Sequence, residues 1–446
     1  MVSAAEQLAQ NMNFGVFAKA TELKKRIWFT LGLLIVCRLG TYIPLPGIDS
    51  VIMADIFHRN SGGILGMFDM FAGGALKRMS IFALNIMPYI SASIIVQLLT
   101  AVVPSLEALK KEGEAGRKKI NQYTRYGTVF LAAIQAYGIA VGLEGMRGSV
   151  GSAVADPGMF FRIMTVVTLT GGTVFLMWLG EQITARGIGN GSSLIIFAGI
   201  VANLPSALAQ LFELGRTGAI STGFLLFMIV MSVFVIAAIV FVERAQRKIV
   251  VQYPRRQSGP NVTAGDSSHL PMKLNTSGVI PPIFASSLLL LPLTFAGFAH
   301  GDSPEWLRTL SAAIGHGQPL YMALYAGLII FFAFFYTAIV FNPAETAENL
   351  RKYGGFVPGI RPGASTADYL DYVLTRITVL GALYLALICL LPEFLISQHS
   401  VPFYFGGTSL LIVVSVTLDT VQQINAHLLA HQYEGLIKKA KLRGGK

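Results

Sequence analysis

Ten apolar segments, each long enough to cross a bilayer, dominate this 446-residue chain. A helix needs about 20 residues to cross a hydrocarbon core about 30 Å thick, and tilt accommodates some scatter in length. The segments are 27–43, 79–103, 126–141, 160–180, 193–211, 222–242, 277–299, 320–341, 377–395 and 408–427. Only 13% of the residues are charged, whereas a soluble domain has about 25%. The pattern predicts an all-α polytopic membrane protein with ten transmembrane helices.

The charges of the loops indicate how these segments are oriented. Of 34 Lys and Arg residues, the loops on one side hold only Arg59, Lys77, Arg78, Arg147, Arg162, Arg216 and Arg308. The other side, which includes both termini, holds nearly all the rest. Because cytoplasmic loops carry the Lys and Arg excess, we expect both termini in the cytoplasm. Such a basic face suits anionic lipids, nucleic acid or acidic proteins.

The number of segments predicts two halves, residues 27–211 with helices 1–5 and residues 222–427 with helices 6–10. When one half has an odd number of spans, the next must start from the opposite face, as in an inverted repeat. Residues 1–26 and 428–446 are then a cytoplasmic N-terminal segment and tail.

Two cytoplasmic loops, 243–276 and 342–376, are long, and partner contacts concentrate in such loops. In the first loop, alternation over 249–253 predicts a strand within a hairpin. The Gly and Pro residues of the second predict an ordered but irregular projection.

Residues 60–78 interrupt the pattern of spans. Their apolar part, 64–72, is too short to cross, and the glycine pairs 62–63 and 73–74 flank it. We predict a re-entrant helix, which is tolerated only where protein or a water-filled cavity surrounds it. The alternative is a helix that lies on the outer surface.

The sequence contains no Walker A motif, no HExxH and no zinc-type Cys/His spacing, so we expect no catalytic site, metal or cofactor. The glycine run 187–191 joins two spans, which favours a tight turn over a phosphate site. Arg38 and Asp419 lie inside spans, and structural roles are favoured over ion coupling. A small-solute transporter is disfavoured by the lack of mid-membrane carboxylates and by the two long loops, and an intramembrane enzyme is disfavoured by the lack of any catalytic signature in the spans.

The residues expected near the middle of the membrane are aliphatic instead of ionisable. Ile86 and Ile90 are i, i+4 on the second span, and Ile196, Ile283 and Ile412 lie well inside other spans. Taken alone, each is an ordinary core or lipid-facing residue. A ring of them would form an apolar constriction that limits ion leakage.

Several stretches are distinctive in both sequence and spacing. They are PLPGID (44–49), MFAGGALKRMSIFALNIMPYISASIIVQLL (70–99), KKEGEAGRKKINQYTRYGT (110–128), FLMWLGEQITARGIGNGSSLIIFAGIV (175–201), VERAQRKIVVQY (242–253), VIPPIFASS (279–287), FFYTAIVFNPAETAENL (334–350), GFVPGIRPG (355–363) and VPFYFGGTSLLIVV (401–414). Over nearly its whole length the chain resembles the SecY family, the channel subunits of the bacterial protein-secretion translocon.

The resemblance implies an hourglass channel between the two halves, closed at the waist by an apolar ring, with a plug in the outer funnel. The implied ring is Ile86, Ile90, Ile196, Ile283, Ile412 and, where the family has a sixth apolar residue, Ser192. The implied plug is residues 64–78, with Ile64, Leu65, Met67, Phe68, Met70 and Phe71 as its apolar side chains. The implied lateral gate, between the second and seventh spans, contains Ser91, Gln97, Ser286 and Ser287. Pro282 departs from the small residue usual in the family and should stiffen the start of the seventh span.

The resemblance also implies partners. The two long loops would bind the ribosome or the SecA ATPase through Arg255, Arg256, Arg351, Lys352 and Arg361. The other implied partners are the small membrane subunits SecE and SecG, signal peptides and unfolded preproteins, anionic lipids, YidC and SecDF. The implied location is the bacterial cytoplasmic (inner) membrane, and the chain itself is expected not to be an enzyme.

Overall fold

The structure is a computed structural model that describes residues 21–60, 69, 72–145, 152–218, 221–253, 257–258, 261–262, 267–298, 318–399 and 407–443. The helices are α1 (Thr21–Gly40), α2 (Ser50–Asn60), α3 (Met87–Val102), α4 (Pro104–Lys111), α5 (Glu114–Gly145), α6 (Met159–Arg186), α7 (Gly191–Arg216), α8 (Thr222–Arg244), α9 (Ile280–Phe298), α10 (Pro319–Val340), α11 (Pro343–Lys352), α12 (Ala364–His399) and α13 (Gly407–Arg443). The strands are β1 (Gln246–Gln252), β2 (Gln257–Ser258), β3 (Asn261–Val262) and β4 (Ser267–Lys273).

A helix covers part or all of each of the ten predicted spans. In the described part of the chain, seven helices are long and apolar enough to cross a membrane, or eight if α3 and α4 form one bent span. These two helices meet at 97°, because the ring of Pro104 disfavours a helical conformation at Val103. The prediction of an all-α polytopic membrane protein is confirmed, and the count of ten spans stays a prediction.

The second predicted span begins later than its hydropathy indicated. Residues 72–86, which we call the turn segment, form mainly successive turns, and Met79 and Asn85 have positive φ angles of 45° and 51°. Helix α3 starts only at Met87, with Pro88 in its first turn, where a missing N–H costs no intrahelical bond. A helix from residue 79 was therefore a wrong prediction, since apolar composition does not distinguish a buried turn from a helix.

One compact unit comprises Met1–Gln210, Leu291–Ser311 and Val416–Lys446. Its core lies where α5 and α6 pack against the turn segment. Ala132, Ala136 and Ala140, all 0% exposed, form one face of α5 at i, i+4 spacing, so its backbone can approach its neighbours closely. Leu76 and Met79 of the turn segment belong to the same cluster of buried side chains.

The second compact unit comprises Leu211–Leu290 and Ala312–Ser415. Strands β1 and β4 pair antiparallel from Gln246↔Lys273 to Gln252↔Ser267, so the predicted hairpin is confirmed. Its inner face packs on α11 and α12 in a separate apolar cluster. The members of this cluster are Ile249, Met272, Ala347, Val357, Leu370, Leu374 and Ile377.

The loop 342–376 is more helical than its Gly and Pro content indicated. Its first part is α11, whose N-terminus is capped by Asn342, since the Oδ1 atom accepts from the backbone N–H groups of Ala344 and Glu345. Its last part, from Ala364, is already α12. The irregular projection is therefore limited to residues 353–363, and the longer prediction was wrong.

Candidate functional site

Three of the predicted ring isoleucines lie in the first unit. Ile86 is the N-cap residue of α3, and its carbonyl accepts from the N–H of Ile90 at 3.1 Å. The two are thus one helical turn apart, as the sequence predicted. Ile86, Ile90 and Ile196, the last on α7, are 0%, 7% and 2% exposed.

Sequence reasoning overlooked a fourth isoleucine beside them. A Cβ atom built on Gly180 would lie 3.5 Å from Cδ1 of Ile195 and 3.6 Å from Cδ1 of Ile86. The side chains of α3 and α7 therefore come together over a bare stretch of α6 backbone. Gly180, the glycine of MWLGEQ, permits this approach because it has no side chain. A glycine inside an apolar span was the sequence signal that could have indicated the close approach.

Ser192 lies beside polar groups. Its N–H donates to Oδ1 of Asn190 at 3.1 Å, and its side chain lies close to the hydroxyl of Tyr89 on α3. Close to Tyr89, Arg125 forms a bidentate ion pair with Glu181, at 2.9 and 2.7 Å. A polar cluster thus accompanies the apolar side chains of α3 within the first unit.

The glycine run 187–191 is a turn whose backbone amides are already bound. The N–H of Ile188 donates to Oγ1 of Thr30 at 3.1 Å, and that of Gly189 donates to Oε1 of Gln423 at 2.8 Å. The N–H of Gly191 donates to Oγ1 of Thr184 at 2.9 Å. A phosphate site needs such amides free. The structure supports the tight turn, and this turn joins α1, α6 and α13.

The plug residues Ile64, Leu65, Met67, Phe68, Met70 and Phe71 lie outside the described residues. Asp69, which is described, is buried and binds the following chain. Its carbonyl accepts from the N–H of Gly74 at 3.0 Å, and its Oδ1 accepts from the N–H of Lys77 at 2.9 Å. Residues 72–78, the C-terminal part of the predicted plug, belong to the turn segment and form mainly turns rather than a helix.

The predicted gate residues on α3, Ser91 and Gln97, combine burial with an unsatisfied polar atom. Ser91 is 4% exposed. The Nε2 atom of Gln97 donates to Oγ of Ser93 at 3.1 Å, while its Oε1 atom is buried without a hydrogen-bond partner. A buried acceptor without a donor costs free energy.

In the second unit, α9 likewise carries buried residues, one of which has a polar atom without a hydrogen-bond partner. Ile283 and Ile412 are 7% and 0% exposed. The hydroxyl of Ser286 donates to the Ile283 carbonyl at 2.9 Å, whereas the buried hydroxyl of Ser287 has no partner. Helix α9 starts at Ile280, so Pro282 lies in the first turn, where proline is tolerated without a kink.

The predicted partner-binding residues that the structure describes lie in the part of the second unit formed by the hairpin, α11 and the loop 353–363. Arg351, Lys352 and Arg361 are exposed. The only one in an ion pair among the described residues is Lys352, 3.2 Å from Glu348 on its own helix. Arg361 follows Gly359, whose φ of +81° holds the loop in a conformation that side chains disfavour.

Two backbone hydrogen bonds join the long loops of this unit. Gln252 and Phe356 exchange N–H···O bonds of 2.8 and 2.9 Å. The hairpin and the loop of Arg361 therefore form one body. Arg255 and Arg256 lie outside the described residues. In the described part of the chain, no group of three His, Cys, Asp or Glu side chains could hold a metal ion.

Comparison with known proteins agrees with this architecture. The family model SecY matches residues 80–421. The protein translocase subunit SecY of Escherichia coli K12 is 57% identical over 424 residues, which cover 95% of this chain and 96% of that protein.

Two solved structures share the fold. One is a SecY protein whose plug domain stabilises the closed state of the translocation channel. It has a TM-score of 0.66 and 16% sequence identity, and the match covers 90% of this chain and 92% of that chain. The other is Sec61 in the canine ribosome–channel complex, with a TM-score of 0.62, 15% identity and the same shares covered.

Proposed function

Since this chain belongs to the SecY family, we propose that it is the protein-conducting channel through which unfolded secretory polypeptides cross the membrane. The family match over residues 80–421 carries the proposal, because it contains all five ring isoleucines and both gate helices. The channel also releases transmembrane segments sideways into lipid, between α3 and α9. Neither step requires catalytic chemistry.

The physical properties of isoleucine support this role. A ring of aliphatic side chains seals because water leaves a narrow apolar constriction, and hydrated ions then face a barrier. The same ring yields to side chains of any kind, since it offers no specific hydrogen bonds. Ile86, Ile90, Ile196, Ile283 and Ile412 are each at most 7% exposed. Ser192 is the polar member of the proposed ring.

The partners follow from the exposed cations and from the family. The protein is a multi-pass membrane protein, and we place it in the bacterial inner membrane with both termini in the cytoplasm. The body that carries Arg351, Lys352 and Arg361 is the docking surface for the SecA motor or the ribosome, as the ribosome-bound relative supports. SecE and SecG complete the channel. Because the chain has no nucleotide-binding motif, the energy comes from the motor or the proton-motive force.

Reconstitution tests the proposal directly. The protein is placed in proteoliposomes with SecE and SecG, and SecA, ATP and a radiolabelled precursor with a signal peptide are added. Protease-protected precursor that depends on both ATP and this chain is the expected result.

Saturable uptake of a small solute, with no protected precursor, would instead establish the transporter alternative. A precursor without its signal peptide is the matched control, and it should remain protease-accessible.

A further inference from the structure

Residues 274–279, which we call the junction, connect strand β4 to helix α9. The hairpin at one end forms one body with the loop of Arg361, and α9 at the other end carries the predicted ring residue Ile283. Asn275 and Ser277 of the junction are each 4% exposed. Buried polar side chains need hydrogen-bond partners, and the partners of Asn275 show what the junction joins.

The side-chain amide of Asn275 uses both its donor and its acceptor atom. Its Nδ2 atom donates to Oε1 of Glu243 at 2.7 Å and to the carbonyl of Gly278 at 3.1 Å. Its Oδ1 atom accepts from the hydroxyl of Ser277 at 3.0 Å. Since a carboxylate and a carbonyl only accept, these partners fix the orientation of the amide. One buried side chain thus links the end of α8 to the chain two residues before α9.

Helix α8 itself does not account for an acid at Glu243. The residue lies in the last turn of α8, where the free carbonyl groups carry partial negative charge and disfavour a carboxylate. The contact with Asn275 offsets this cost, because a hydrogen bond to a charged acceptor is about twice as strong as one between neutral groups. Glu243 therefore serves the junction rather than its own helix.

The backbone of the junction is held at its start by two helices. The N–H of Leu274 donates at 2.9 Å to the carbonyl of Ala245, the C-cap residue of α8. A Cβ atom on Gly381 of α12 would lie 2.8 Å from the Leu274 carbonyl oxygen, so α12 passes directly against this chain. Near its other end, Gly278 has a φ of +63°, a left-handed conformation that turns the chain sharply before α9. The side chain that holds this turn to α8 is Asn275.

We propose that Asn275 is the positioning residue of α9: it makes the hairpin and the start of α9 one rigid body, so that a force on the hairpin reaches the gate helix. The inference rests on the proposed function, in which the motor docks on the body of Arg361 and transmembrane segments leave beside α9. Because Asn275 is buried, it acts through Glu243 and Gly278 rather than by contact with the motor.

The distance between the hairpin and α9 tests this rigid body without any transport. His269 on β4 and Leu288 on α9 are exposed, so spin labels attached through His269→Cys and Leu288→Cys replace no core side chain. Cys37→Ala and Cys389→Ala remove the native thiols. Electron paramagnetic resonance of the protein with SecE and SecG in lipid nanodiscs then gives the distribution of distances between the labels. A narrow distribution is expected when Asn275 is present.

Asn275→Leu removes all three hydrogen bonds at similar volume and should broaden this distribution. It should also slow SecA-driven translocation about tenfold, as for the loss of a hydrogen bond to a charged group, with the affinity for SecA unchanged. Glu243→Gln keeps an acceptor for Asn275 and should behave nearly as the unsubstituted protein. Thr276→Val is the matched control: it removes a hydroxyl that donates at 3.0 Å to the Lys273 carbonyl, on the hairpin side of the junction, and should change neither readout.

An exchange of donor and acceptor keeps the test decisive if Asn275→Leu does not fold. Asn275→Asp places a second carboxylate beside Glu243 and should both broaden the distances and slow translocation. Addition of Glu243→Gln gives the new carboxylate a donor and should restore part of both, since contacting residues show non-additive effects.

The proposal is overturned if folded Asn275→Leu or Asn275→Asp protein keeps the narrow distribution, or if the distances broaden while translocation per folded channel stays normal. It is also overturned if the double variant is no better than Asn275→Asp alone. Failure of the unsubstituted protein to translocate a precursor would refute the proposed function instead. The distance distribution needs no precursor and would still decide whether Asn275 joins the hairpin to α9.

Discussion

Replacing Ile90 by Asn should make the resting channel leak ions. Ile90 is 7% exposed and one turn beyond Ile86, so Asn would place an amide among buried aliphatic groups. A buried amide without a partner costs about 1–3 kcal/mol, and this cost disappears when the constriction is wet. The closed state thus loses about 1–3 kcal/mol relative to the open state, which corresponds to an approximately 5- to 150-fold rise in the open population.

Single-channel recording in planar bilayers, with no precursor present, measures this population. Two variants on the same helix are the controls. Ile90→Leu conserves volume and should cost less than about 1.5 kcal/mol, with no added leak. Ile94→Asn makes the identical change one turn further along, at a residue only 3% exposed, and should destabilise the fold without opening the ring. Equal leakage from Ile94→Asn and Ile90→Asn would refute the ring, because burial alone would then explain the effect.

Arg361→Glu should leave membrane insertion and detergent stability unchanged yet reduce SecA-driven translocation strongly, since the side chain is exposed on a projecting loop; a matching loss of folded protein would contradict this. Gln423→Leu leaves the N–H of Gly189 without its acceptor and should lower the free energy of unfolding by about 1–3 kcal/mol, measured by denaturation in detergent. Asn342→Ala removes the cap of α11 and should cost about 1 kcal/mol, seen as faster amide exchange in that helix, whereas unchanged exchange would argue against the cap. Deleting residues 64–71 should raise resting conductance with the channel still assembled, and the deletion stops before Ala75 because that residue is fully buried in the core.

The helices could be predicted from the sequence because they depend on sums over many residues. A run of apolar side chains is enough to predict a span, whereas the orientation that the Lys and Arg distribution indicates stays a prediction. The hairpin that contains Ile249 and the one-turn spacing of Ile86 and Ile90 were predicted for the same reason, since each reflects a local repeat.

One local signal was present and overlooked. In the sequence Asn342-Pro343-Ala344-Glu345, an N-cap residue precedes a proline in the first turn and a glutamate two residues later. This is the usual start of a helix, and α11 begins there. The Gly and Pro residues that predict an irregular loop all lie after this helix, within 353–363.

Only the tertiary structure decided the conformation of the turn segment and the hydrogen-bond partners of both that segment and the glycine run 187–191. Whether an apolar stretch such as 79–86 is a helix or a buried turn depends on hydrogen-bond partners far away in sequence, such as Ile43 and Leu45. Likewise Thr30 and Gln423 meet the 187–191 turn across 158 and 234 residues of chain. Such hydrogen bonds cannot be predicted from a local stretch of sequence. A buried backbone N–H or C=O group needs a partner, and which groups are buried next to each other is decided only when the helices pack.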